Sequence, residues 1–97
     1  MIRVAIAGAG RMGQAIAAGL EKQDDMELVG LWGREDDLAS LVEAADVVID
    51  FSLPDGTEQV LAAVERLGKP LVCGVSGLSD EQMTALDHAA ASVPVVY

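Results

Sequence analysis

The sequence predicts an α/β fold, a doubly wound parallel sheet of about five strands with helices on both faces. Three observations carry this. Short runs rich in Val, Ile and Leu alternate along the chain with stretches whose apolar residues recur at helical period. A glycine-rich segment, GAGRMG at 8–13, falls where the first such run gives way to the first helical stretch. The composition is 52% hydrophobic but only 3% aromatic, with ten glycines, which suits helices packed close against a sheet.

The elements follow in order. IRVAIAG, 2–8, is a continuous apolar run and reads as a fully buried parallel strand. RMGQAIAAGLEKQ, 11–23, is helical, with Met12, Ile16 and Leu20 on one face and Gly13 and Ala17 on a neighbouring stripe. MELVGLW, 26–32, is the second strand. EDDLASLVEA, 35–44, is a short helix with Leu38, Leu41 and Val42 inward and acids in its first turn complementing the helix dipole. DVVIDFS, 46–52, is the third strand. The next helix spans 55–68, begun by Asp55 and Glu58 at capping-box spacing and stopped by Gly68. KPLVCG, 69–74, is the fourth strand, and Ser79 with Gln82 repeat the capping box for a helix over 79–91. VPVVY, 93–97, closes as a fifth strand. An α/β chain ending on a strand reads as the first portion of a longer protein, so 1–97 is expected to be one domain with any substrate domain outside it.

Charge and composition restrict the function. Sixteen acids against six bases give a formal net charge of −10, which argues against nucleic acid or an anionic membrane as partner. The single cysteine, Cys73, permits no internal disulfide and reads as a small buried hydrophobe. No signal peptide and no apolar run of spanning length is present, so a cytoplasmic location is expected. No metal site is expected, because His88 has no Cys or His neighbour and the acids at 24–25 and 35–37 read as solvated ends.

The glycine segment matches G-x-G-x-x-G between a strand and a helix, the context of a Rossmann-like dinucleotide site. Gly8 permits the turn, Gly10 lets a pyrophosphate approach the backbone, and Gly13 lets the helix lie on the strand. Ala9, Arg11 and Met12 complete the loop, whose N–H groups face the phosphates. Open α/β sheets bind ligands beyond the carboxyl ends of their strands, so three further segments are candidates. After the second strand stand Gly33 and Arg34, where a carboxylate for the adenine ribose is usual. Without that carboxylate, and with a guanidinium beside it, the cofactor expected is NADPH, with NADH as the alternative. After the third strand come Asp50, Phe51 and Ser52. Phe51 either packs on the nicotinamide side of the cofactor or is ordinary core, and Asp50 reads as a hydrogen-bonded structural acid. After the fourth strand, Gly74, Val75 and Ser76 form a loop able to reach a carboxamide or a ribose.

VAIAGAGRMG at 4–13, ADVVIDFS at 45–52 and GKPLVCGVSGL at 68–78, with the closing VPVVY, together resemble the N-terminal domain of the dihydrodipicolinate reductase family. The resemblance implies a sheet order 2-1-3-4-5 in this chain and a pyridine-nucleotide reductase of lysine and diaminopimelate biosynthesis. It further implies a small dicarboxylate substrate and a homotetrameric full-length protein. It maps cofactor contacts onto Gly8, Gly10, Arg11 and Met12 at the pyrophosphate, Arg34 near the adenosine 2′ position, and Gly74, Val75 and Ser76 near the nicotinamide. The chain departs from the family pattern in a glycine loop one residue shorter, in Gly33 for an acid, and in Val75 and Ser76 for two threonines. The family's catalytic histidine-lysine motif lies beyond the region present. A dinucleotide-sensing module and the cofactor domain of another amino-acid-pathway dehydrogenase are the alternatives.

Overall fold

The computed structural model describes residues 1–33 and 37–97. Five strands form one parallel sheet in the order β2-β1-β3-β4-β5. They are β1 (Ile2–Ala7), β2 (Met26–Trp32), β3 (Val47–Asp50), β4 (Leu71–Cys73) and β5 (Val95–Val96). Helices α1 (Arg11–Glu21), α2 (Leu38–Ala44), α3 (Pro54–Leu67) and α4 (Asp80–Ala90) connect them. The predicted class, order and alternation are those observed, with the later strands shorter than their apolar runs.

The sheet separates two apolar clusters. On one face α2, α3 and α4 bury Val42, Val60, Val64, Leu86 and Ala89 against Ala5, Val48, Leu71 and Cys73. On the other, α1 alone packs Ala17 and Leu20 over Val4 and Ile6. Val72 of β4 and Val96 of β5 stay exposed, as does the terminal Tyr97. Met12 is also exposed, 55% of its surface reaching solvent, although it shares a helical face with the buried Leu20. Gly13 and Ala17, the small-residue stripe expected to let α1 lie close to the sheet, are buried with Leu20.

Helix ends follow local chemistry. In α2 the expected first-turn acids give way to a cap: Asp37 precedes the helix and accepts from the Ser40 backbone N–H at 3.3 Å and its hydroxyl at 2.7 Å. The Asp55–Glu58 capping box predicted for α3 does not form. The helix starts one residue earlier, with Leu53 at the cap position and Pro54 in its first turn, where a missing N–H costs nothing. Gly68 ends α3 in the left-handed region at φ 69°, as expected. The Ser79–Gln82 capping box of α4 forms in full.

One irregularity escapes the alternating pattern. The β1–β2 register slips between Val4, which faces Leu28, and Ala5, which faces Gly30. The extra residue is a bulge on the edge strand β2. Leu28 and Leu31 therefore pack toward α1, while Val29 and Trp32 join the opposite cluster. Without the bulge, Trp32 would share a face with Leu28.

Candidate functional site

The carboxyl ends of β1, β2, β3 and β4 are held side by side by ladder bonds that run past the strands. The Gly8 N–H donates to the Trp32 carbonyl at 3.0 Å, Phe51 to Ala7 at 2.9 Å, and Gly74 to Asp50 at 2.8 Å. Beyond these ends lies a cleft of about 650 Å³. Gly8, Ala9 and Gly10 line it from β1, Trp32 and Gly33 from β2, and Phe51, Ser52 and Leu53 from β3. Asp55, Gly56 and Gln59 of α3 complete the wall.

The three glycines of the loop have different physical reasons. Gly8 adopts φ +116°, and a Cβ there would come within 2.9 Å of the Phe51 backbone. A Cβ on Gly13 would overlap the Gly8 carbonyl oxygen, so α1 can rest on the loop only through a glycine. Gly10 is different. Its φ of −79° suits any residue, and a Cβ there would meet nothing within 4 Å. The fold does not require a glycine at position 10; a ligand approaching the backbone would. Gly10 is also the cap residue of α1 and has no side chain to accept from the first-turn N–H groups. The loop is tied to the helix by the Gln14 amide, which donates to the Ala9 carbonyl at 2.9 Å.

Beside the loop, Asp50 is buried with 0% exposure and fully hydrogen-bonded. Its Oδ1 accepts from the Ser52 N–H at 2.8 Å and the Ser52 hydroxyl at 2.6 Å, and its Oδ2 accepts from the Thr57 hydroxyl at 2.8 Å. The carboxylate thus fastens the turn after β3 to the first turns of α3. Next to it, Gly74 seats Phe51: a Cβ on Gly74 would collide with the edge of the phenyl ring. Burial raises the pKa of the Cys73 thiol, with the charge of Asp50 adding to the effect, so it is poorly suited to act as a nucleophile at neutral pH.

Of the residues predicted from sequence, Gly8, Ala9, Gly10, Gly33, Phe51 and Ser52 meet in the cleft. Arg11 and Met12 are exposed at the start of α1, and Gly13 is buried beneath the loop. Gly74 supports Phe51, Val75 is buried, and Ser76 is exposed; none of these three lines the cleft. Arg34 lies outside the described residues, as do the acids at 35 and 36. Trp32 and Leu53 belong to the strand-end segments WGR and DFSLP that the sequence offers as candidates, without being singled out there; Asp55, Gly56 and Gln59 of α3 were missed. Gly56 did carry a signal. A glycine inside a helix costs about 1 kcal/mol relative to alanine, so its presence there marks a close approach. The approach is to Ser52 and Trp32, whose atoms a Cβ would meet at 2.7 Å and 3.3 Å.

The sequence matches the family described as dihydrodipicolinate reductase, N-terminus, over residues 2–97. A 4-hydroxy-tetrahydrodipicolinate reductase of Campylobacter jejuni is 36% identical over 98 residues, an alignment spanning all of this chain and 40% of the relative. One from Alkalilimnicola ehrlichii is 39% identical over 92 residues, covering 95% of this chain and 28% of the relative. The chain therefore spans less than half the length of the curated relatives it matches. Among solved structures, dipicolinate-bound dihydrodipicolinate reductase from Paenisporosarcina sp. TG-14 superposes with a TM-score of 0.77 at 26% identity, over 93% of this chain and 43% of that one. A Gfo/Idh/MocA family oxidoreductase from Vibrio cholerae reaches a TM-score of 0.82 at 18% identity, over 99% of this chain and 38% of that one, which shows a shared fold. The glycine loop, the strand-end segments in their order and the match along the whole chain agree, and this chain belongs to the dihydrodipicolinate reductase family, in the part that forms its N-terminus.

Proposed function

We propose that this chain holds a reduced nicotinamide dinucleotide, NADPH in preference to NADH, for a reductase of 4-hydroxy-tetrahydrodipicolinate or dihydrodipicolinate. The product would be tetrahydrodipicolinate, in the synthesis of lysine and diaminopimelate. The observation that carries the reading is Gly10: a glycine the backbone does not need, opening onto the cleft at a helix start without a side-chain cap. Backbone N–H groups at a helix start bind phosphate through their free hydrogens and the helix dipole. In a chain of net charge −10 such local donors have to work against the overall field, and Arg11 adds a mobile cation at the same end.

The residues fit the group. Gly8, Ala9, Gly10 and the first turn of α1 would take the pyrophosphate. Trp32 and Gly33 flank it on the β2 side, Phe51 and Ser52 on the β3 side. When bound, the cofactor supplies hydride. Gly33 puts no carboxylate where a 2′-phosphate would be repelled, which is the basis for preferring NADPH, with Arg34 as its proposed partner. The substrate side of the reaction is assigned to none of the described residues.

Fluorescence titration of the purified protein with NADPH tests the reading. Saturable binding is expected in the wild type, and its loss in Gly10→Val with an unchanged far-ultraviolet circular dichroism spectrum. Equal affinity of wild type and variant would remove the loop from the site.

A further inference from the structure

Ser52 lines the cleft on the β3 side of the glycine loop. Its hydroxyl lies 2.6 Å from Asp50 Oδ1, and its backbone N–H reaches the same oxygen at 2.8 Å. That one Asp50 oxygen accepts from both, and a serine hydroxyl has one proton to give. At 2.6 Å the bond is short, so the proton of Ser52 is committed to Asp50. The other acceptor in reach, the Leu53 carbonyl at 3.2 Å, also belongs to the chain itself. What Ser52 presents to the cleft is therefore lone pairs. Asp50 cannot turn away, since its second oxygen is held by the buried Thr57 hydroxyl at 2.8 Å.

We infer that Asp50 sets the polarity of Ser52, making Ser52 an acceptor for a ribose hydroxyl of the bound dinucleotide and not a donor to its phosphates. This rests on the cofactor reading above. Phosphate oxygens are acceptors, and a serine whose proton is taken offers them only repulsion. They are left to the N–H groups of the loop and of α1. A ribose hydroxyl is a donor, and it finds in Ser52 the acceptor it needs. Position agrees with polarity. Across the ends of the strands the cleft runs from Trp32 and Gly33, past Gly8 to Gly10, to Phe51 and Ser52. Ser52 stands one strand from the phosphate loop, where a sugar joined to the pyrophosphate falls. Asp50 lies behind Ser52 and touches no ligand; it is a positioning residue.

Ser52→Ala, Ser52→Thr, Asp50→Asn and the double variant Asp50→Asn/Ser52→Ala are titrated with NADPH, with thermal melts alongside. Ser52→Ala removes one neutral hydrogen bond and is expected to weaken binding about three- to tenfold, and Ser52→Thr to restore most of it. In Asp50→Asn the carboxamide oxygen stays on the Ser52 N–H, which can only donate, and keeps accepting from the hydroxyl, while the NH2 turns to the Thr57 hydroxyl. Ser52 therefore remains an acceptor: affinity should stay within about threefold of wild type, and the double variant should fall no further than Ser52→Ala alone. If Asp50→Asn fails to fold, the two Ser52 variants decide the matter, because they leave the backbone bond to Asp50 and the Thr57 bond in place. Reduced nicotinamide mononucleotide and 2′,5′-ADP, titrated separately, show which sugar is read: one of them should lose affinity in Ser52→Ala. Equal losses for both fragments would point to the phosphates and overturn the inference. So would unchanged NADPH affinity in Ser52→Ala with normal melting. Absence of NADPH binding in the wild type would defeat the cofactor reading itself.

Discussion

Two alanine substitutions in one loop should fail in different ways. A Cβ on Gly13 would overlap the Gly8 carbonyl oxygen, a backbone atom that cannot swing aside. Overpacking of this kind costs about 1–3 kcal/mol, and the rigid neighbour puts Gly13→Ala near the upper end. For a domain of this size each kcal/mol moves the melting temperature by roughly 4–8 °C, so a fall of about 8–20 °C is expected. A Cβ on Gly10 meets nothing within 4 Å and its φ of −79° is ordinary. Gly10→Ala gains a few tenths of a kcal/mol from a stiffer unfolded chain and loses about as much cap preference, so the melt should stay within about 3 °C. Its methyl group opens onto the cleft, and displacing an anion from charge-assisted N–H bonds should cost roughly ten- to a hundredfold in NADPH affinity. Circular dichroism melts and fluorescence titration of both variants measure the contrast. A wild-type melt for Gly13→Ala, or wild-type affinity for Gly10→Ala, would refute the separation of roles.

Arg34→Ala should weaken NADPH roughly tenfold and leave NADH nearly unchanged, the difference shrinking as salt rises; equal losses for the two cofactors would take the 2′-phosphate away from Arg34. The Ser40 hydroxyl and N–H hold the Asp37 carboxyl below its ordinary pKa. Its capping contribution is therefore present above the unfolded value and lost as pH falls through the folded one. Asp37→Asn caps without titrating and should flatten the acid limb of melting temperature against pH; an unaltered limb would show that the cap is idle. Cys73, with its thiol pKa raised by burial, should react with a disulfide reagent only at the rate of local opening, and instant labelling in the native protein would contradict that. The exposed Val72 of β4 and Val96 of the edge strand β5 should give concentration-dependent association by light scattering, where a monomer at every concentration would show the face to be inert.

Most of the architecture was legible because its signals are local. Strands buried on both faces announce themselves as apolar runs, and Gly68, Ser79 and Gln82 end or begin helices by chemistry confined to a few residues. The glycine loop was legible because strand, turn and helix meet there in sequence. What could not be read depends on contacts between distant segments. Met12 has the period of a core residue yet stays exposed, because Gly13 and Ala17, legible as the close-packing stripe, bring α1 down beside it. Asp55 and Glu58 have capping-box spacing, yet Pro54 starts the helix first. Gly74 reads as a loop glycine until the Phe51 ring is placed against it. Apart from the in-helix Gly56, the α3 wall of the cleft is assembled by packing that no spacing in the chain encodes.

The slipped register of β2 has a consequence for how this family can vary in length. Side chains alternate along a strand, so one inserted residue reverses the address of every position after it. The bulge near Val29 acts as such an insertion, and it is why Trp32 stands under the cleft. Removing one residue there would change no chemistry, yet it would send the indole toward α1 and put Leu31 in its place. Strand β2 is an edge with only one neighbour, so the sheet could absorb the deletion. Chain length at this point, and not residue type alone, decides which side chain the cleft meets.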